Sequence, residues 1–228
     1  MKARTEAGRR RRALFRRPVA AGAVPLRRLD RWQAETMREQ LADLHVESSH
    51  AAPGQEYRGR EEFLRRLAAD VRRPGFDMVI TQGPRLVGYV YGFPVGRDGS
   101  WWRQFAGGLP GVLERLTASG HVFALAELTV HPSEQDRDLG RRLQDGLLVD
   151  QDASLAVTRV DRADTATFAA FSARGWSEVG EVGEVAPAAA VPRLRWLAMP
   201  LNGRTARNPD GLEHDGNTEP PEGSAGPP

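Results

Sequence analysis

The stretch His121–Leu148, "HVFALAELTVHPSEQDRDLGRRLQDGLL", decides the fold. Its first ten residues alternate: Val122, Ala124, Ala126 and Leu128 share one face, and Phe123, Leu125, Glu127 and Thr129 share the other, which is the two-residue period of a strand. A polar loop follows from His131. Leu139, Leu143 and Leu147 then recur at four-residue spacing, the mark of an amphipathic helix. A helix start carries unpaired amides and a partial positive charge, so it attracts phosphate. Gln135, Arg137 and Gly140 lie at this start, with Arg141 and Arg142 on the first turns, and arginines neutralise a bound anion. The same residues also read as a surface helix capped by Asp138, its arginine face solvated.

Outward from this unit, helix and strand signals alternate over about 180 residues, the pattern of an α/β or α+β domain. "VPLRRL" (Val24–Leu29) reads as a first strand. "DRWQAETMREQLADLHVESS" reads as a helix, with Asp30 as cap and Trp32, Met37, Leu41 and Leu44 near helical spacing. "REEFLRRLAADVRR" is a second helix, ended by Pro74-Gly75. "FDMVITQGPRLVGYVYGFPV" reads as a hairpin around Gln82-Gly83-Pro84. Beyond the quoted stretch come a strand, "ASLAVTRV", and a helix, "DTATFAAFSARGW", that Asp164 caps and Gly175 stops. "SEVGEVGEV" and "PRLRWLAMPL" read as a closing antiparallel pair.

With 228 residues, 40% of them hydrophobic, the chain suits one domain with tails. The expected division is a basic disordered tail over 1–20, the domain over 21–201, and an acidic Gly/Pro-rich disordered tail over 202–228. There is no cysteine. Disulfides, thiolate metal sites and cysteine nucleophiles are thereby excluded, and a cytoplasmic setting is expected. No apolar run approaches the roughly 20 residues that span a bilayer. Histidine spacing offers no metal site, and no serine-nucleophile elbow or phosphate-binding Walker loop occurs. The arginine-rich head permits contact with nucleic acid, but a solvated tail is the commoner use of such a run.

A strand, loop and helix of this kind suit a ligand with a pyrophosphate at one end and an amide-rich arm along the strand, which is the shape of coenzyme A. "ELTVHPSEQDRDLGRRL" resembles the central motif of the GNAT superfamily of N-acetyltransferases, in which a strand leads into Gln/Arg-x-x-Gly-x-Gly/Ala and a helix. "DTATFAAFSARGW" resembles that family's second CoA-side helix, and "RWLAMPL" its last strand. The resemblance covers roughly residues 21–201. It implies a mixed, mostly antiparallel, V-shaped sheet flanked by helices, with acetyl-CoA as co-substrate and direct acetyl transfer to a primary amine on a small molecule or peptide. No metal or membrane partner is implied, and a homodimer is compatible. Backbone groups of Leu128, Thr129 and Val130 would align the pantetheine arm. Those of Asp136, Arg137, Asp138, Leu139, Gly140 and Arg141 would hold the pyrophosphate.

Three residues depart from the pattern. Asp138 stands at the first loop glycine, where its carboxylate repels the anion and competes for the helix amides. Phe171 stands where many members carry a tyrosine that protonates the departing thiolate. Asp164 stands where an asparagine often contacts the cofactor, and capping explains it equally well. Glu127 is the candidate base: a carboxylate in an apolar strand is costly without a partner or a task. By resemblance it faces the acceptor amine; otherwise it pairs with an arginine such as Arg103 or Arg159. His131 reads as a turn residue, and Tyr89 and Tyr91 as core or pocket lining. Trp101 and Trp102 read as a lid or interface. Because all three departures fall on the cofactor side, the alternative is a degenerate module that binds CoA weakly or not at all and acts in binding or regulation.

Overall fold

The computed structural model describes residues 25–49, 56–103, 105, 108–181 and 194–201. Among the described residues seven strands are hydrogen-bonded in the order β1-β2-β3-β4-β5-β7-β6, a mixed and mostly antiparallel sheet flanked by helices. The expected fold class is the observed one. The chain divides into two compact units. One joins the described residues up to Pro94 to Ala124–Asp150, and the other joins Val95–Phe123 to the described residues from 151 onward. Both expected tails, and Val24, fall outside the described residues.

In the first unit β1 (Leu26–Leu29) pairs with β2 (Asp77–Gln82), which pairs with β3 (Leu86–Pro94). The hairpin turns where Gln82-Gly83-Pro84 predicts it. Ile80 lies opposite Tyr89 and Met78 opposite Tyr91. These four side chains point to one face, where α2 (Arg38–Ser48) and α3 (Glu56–Asp70) bury Leu41, Leu44, Phe63 and Leu67 against them. The opposite face takes α5 (Leu139–Leu148). Gly88 lets that helix come close: a Cβ there would stand 2.9 Å from Leu143 Cδ1. Gly146 does the same from the helix side, its missing Cβ facing Leu26 Cδ1 at 2.9 Å. Leu139, Leu143 and Leu147 are all buried, so the four-residue spacing marks a real packing face.

The long first helix expected from sequence is two. α1 (Arg31–Thr36) is fixed by a capping box in which Asp30 accepts from Gln33 N and Gln33 Oε1 accepts from Asp30 N. Met37 then departs from helical geometry before α2 begins. Trp32, expected on the apolar face, is 63% exposed, with the Arg31 guanidinium over its ring, while Ala34 is buried in its place.

In the second unit β7 (Leu194–Pro200) lies between β5 (Leu155–Asp161) and β6 (Ser177–Glu181), antiparallel to both. The expected closing pair is therefore present; "VGEV" beyond Glu181 falls outside the described residues. α4 (Gly111–Ser119) ends at Gly120, whose φ of 79° suits glycine. Trp102 corrects an expectation. It is core rather than lid: 6% exposed, 5.0 Å from the Trp196 ring, its Nε1 donating to Thr117 Oγ1 at 2.9 Å. Trp101 meets Trp196 edge-on and carries the Arg159 guanidinium 4.2 Å from its ring centre. α6 (Thr165–Ser172) starts as predicted, with Asp164 accepting from Thr167 N at 2.9 Å.

Candidate active site

β4 (Val122–Val130) carries Glu127 near its end, and two helices of the first unit converge on that carboxylate. His45 Nδ1 lies 3.1 Å from Oε1, and Arg66 donates to Oε2 at 2.8 Å. The Thr129 hydroxyl donates to Oε1 at 3.4 Å. The glutamate side chain is 16% exposed. The sequence's alternative of an arginine partner is met by Arg66, in place of the Arg103 or Arg159 offered as examples. Burial alone would push the Glu127 carboxyl up, but the hydrogen bond from His45 and the charge of Arg66 outweigh it and hold the carboxyl below the ordinary glutamate value. At neutral pH Glu127 is an ionised, multiply hydrogen-bonded carboxylate.

His45 and Arg66 are the functional candidates missed in the sequence, although each left a signal. His45 sits four residues after Leu41 and continues the buried stripe of α2, where its ring stacks on Phe63 at 4.6 Å and 19°. Arg66 sits three residues after Phe63 and four before Asp70, both buried, so it interrupts an apolar stripe with a charge. A polar residue on such a stripe needs a buried partner.

Tyr89 and Tyr91 are fully buried. Burial pushes both phenols well above the ordinary tyrosine value, and the nearby Glu127 charge adds to this. The Tyr91 hydroxyl donates to Asp70 Oδ2 at 3.4 Å. Among the described residues the Tyr89 hydroxyl makes no short hydrogen bond, and the Thr129 hydroxyl is the side-chain group that offsets part of its rise. Such phenols keep their protons at neutral pH. Phe171 is itself buried, packed edge-on against Trp176 at 5.2 Å.

After β4 the chain forms a 3-10 turn over Pro132–Arg137 rather than an open loop. His131 builds it: its backbone N–H donates to Val87 O at 2.8 Å, and its Nδ1 accepts from Ser133 N at 3.1 Å. That agrees with its reading as a turn residue. Asp138 then adopts φ 56° and ψ 16°, the left-handed region. Among the described residues no other non-glycine has a positive φ. This is the backbone that the expected glycine would supply freely, and aspartate tolerates it at about 1 kcal/mol. A helix start leaves the amides of Leu139, Gly140 and Arg141 without intrahelical acceptors.

Two expectations about this start need revision. Asp138 does not cap it, since no side-chain bond of Asp138 reaches the helix amides. Its carboxylate instead lies against Arg141, whose Nε donates to both oxygens at 2.9 and 2.8 Å. Arg141 was expected to neutralise a phosphate, and here it neutralises Asp138. The side chains of Asp136 and Arg137 lie outside the described residues, whereas their backbone closes the 3-10 turn. The structure thus gathers Glu127, Leu128, Thr129, Val130 and the Asp136–Arg141 backbone into the first unit. Asp164 belongs to the second.

One test follows from the buried carboxylate. Because folding holds Glu127 below the 4.5 of a free glutamate, its ion pairs stabilise the fold fully above pH 4.5 and lose that contribution as pH falls below it. Urea melts of Glu127→Gln are expected to show a shallower loss of stability below pH 4.5 than the unaltered chain. Equal slopes would contradict the pairing.

No family model matches the sequence, and no curated protein matches it. Solved structures do. A protein described as an acetyltransferase of the GNAT family, from Desulfovibrio desulfuricans, aligns with a TM-score of 0.54 at 16% identity, over 78% of this chain and 99% of that one. Aminoglycoside 6′-acetyltransferase type Ii gives 0.54 at 16% identity, over 79% and 99%. The ribosomal-protein-S18-alanine N-acetyltransferase of Escherichia coli gives 0.50 at 16%, over 81% and 98%. The chain therefore has the GNAT acyltransferase fold.

Proposed function

We propose that the chain is an N-acetyltransferase that moves an acetyl group from acetyl-CoA directly to a primary amine on a small molecule or peptide. The observation that carries this reading is the β4–turn–α5 unit. On a GNAT fold, its helix start presents amides that no Asp138 side-chain bond covers, and the ionised Glu127 lies on the strand leading into it. Backbone amides from Asp136 to Arg141 would hold the pyrophosphate, and Leu128–Val130 would align the pantetheine arm. The Glu127 charge would draw the acceptor ammonium and govern where its proton goes. Amine nitrogen attacks the thioester carbonyl, the C–S bond breaks, and CoA leaves as a thiolate, a fair leaving group without help from an acid at Phe171.

Thermal melting with acetyl-CoA tests the reading. A ligand at about 100 times its dissociation constant stabilises a fold by roughly 2.7 kcal/mol. An unchanged melting temperature at millimolar acetyl-CoA contradicts it. That result would favour the second reading, a degenerate module in binding or regulation, which one observation supports: the Asp138–Arg141 pair engages the guanidinium best placed for phosphate. No helix among the described residues is long and apolar enough to cross a membrane.

A further inference from the structure

We infer that His45 is the base that takes the acceptor's proton, and that Glu127 is a positioning residue behind it. The inference rests on the acetyltransferase reading and moves the proton transfer from one side chain to another. Glu127 is poorly suited to the task that a carboxylate on this strand suggests. It already accepts from His45 at 3.1 Å, Arg66 at 2.8 Å and Thr129 at 3.4 Å. Every such bond stabilises the ionised form and lowers its appetite for a proton.

His45 is arranged the opposite way. An ionised carboxylate at Nδ1 fixes the proton on that nitrogen and leaves the lone pair on Nε2. Among the described residues Nε2 makes no hydrogen bond, and the side chain is 21% exposed. Stacking on Phe63 sets the ring plane, so the lone pair has a fixed direction. The groups that bear on it from packed elements are Glu127 on β4 and Arg66 on α3, with Tyr89 and Tyr91 on β3 kept neutral by burial. On its own helix, Asp43 pairs with Arg60 and Glu47 faces His131. Arg66 has a definite part in this: its charge beside Oε2 keeps a proton from travelling on to Glu127.

The step balances. An ammonium, R–NH3+, gives one proton to Nε2 and becomes a free amine. Its lone pair forms the N–C bond at the thioester carbonyl, and the C–S bond breaks with its electrons on sulfur. A second amine proton reaches the thiolate, the third stays on the amide, and the imidazolium returns its proton to solvent.

Two measurements on the full chain test this. Long-range 1H–15N spectra of labelled protein resolve five histidines, with His45 assigned through His45→Gln. Neutral His45 is expected as the Nδ1–H tautomer, reverting toward Nε2–H in Glu127→Ala. A proton on Nε2 in the unaltered chain overturns the inference, whether or not an acceptor is known. For kinetics, a thiol reagent reads CoA release without background, because the chain has no cysteine. Spermidine, tyramine and an alanine-initiated tripeptide serve as acceptor probes. His45→Gln is expected to lower kcat about 10²-fold with the acetyl-CoA melting shift intact, and added imidazole to restore turnover in His45→Ala. Turnover of His45→Gln near that of the unaltered chain overturns His45 alone. Absence of both melting shift and CoA release overturns the acetyltransferase reading itself. If acetyl-CoA binds but none of the amines reacts, the tautomer decides.

Discussion

Glu127→Gln is expected to lower kcat by about 10- to 10²-fold, no more than the loss of His45 itself, while leaving the affinity for acetyl-CoA nearly unchanged. Glutamine keeps the size and the hydrogen-bonding oxygen but removes the charge. Arg66 loses its ionic partner, and the imidazole of His45 loses the anion that fixes its tautomer. The fold should tolerate the change, because the Arg66 side chain is 43% exposed and can turn to water. The split between kcat and binding is what separates a role at the acceptor amine from one in holding the cofactor. CoA release against acetyl-CoA concentration measures both. A variant that binds acetyl-CoA poorly but turns over normally would contradict the placement.

Leu143→Ala is expected to have the largest effect on stability, about 2–5 kcal/mol. Leu143 is fully buried and its Cδ1 occupies the space that Gly88 leaves open on β3. Truncation leaves a cavity that neither the strand nor the glycine can fill. For a chain of this size the melting temperature should fall by roughly 5–15 °C. Because this contact seats α5 on the sheet, the amides at its start should also lose their fixed position, and acetyl-CoA affinity should fall with stability. Leu148→Ala, at the far end of the same helix, should cost stability with less effect on affinity. If both variants weaken acetyl-CoA equally, the helix start is not what binds it.

Much of this was legible in the sequence where a residue's environment follows from its neighbours along the chain. The leucine spacing in α5 specifies one buried face, and the alternation in β4 specifies a strand, although both of its faces are covered from Val122 to Leu125. Gln82-Gly83-Pro84 closes its hairpin, and Asp164 caps the helix it precedes. What could not be read depends on distant partners or on backbone choice. Apolar residues at 32, 37, 41 and 44 fit one helix as well as two. The break at Met37 is a local choice of backbone angles, φ −93° and ψ 5°, that the apolar pattern does not encode. Trp102 follows a polar loop, and only its meeting with Trp196 makes it core. Glu127 had to find a cation, but spacing does not say which; Arg66 lies 61 positions away and His45 lies 82. At Asp138 the sequence showed that glycine was missing. It did not show that the left-handed backbone would be kept and the carboxylate turned aside onto Arg141.

On the proposed reading, amides at the start of α5 grip a pyrophosphate. Calorimetric titration compares acetyl-CoA with S-acetylpantetheine, which shares the thioester arm but lacks the pyrophosphate and nucleotide. Acetyl-CoA should bind about 10²-fold more tightly or better, and Asp138→Gly should widen that gap by removing the carboxylate and releasing Arg141. Equal affinities for the two ligands, or no binding of either at millimolar concentration, would contradict the account.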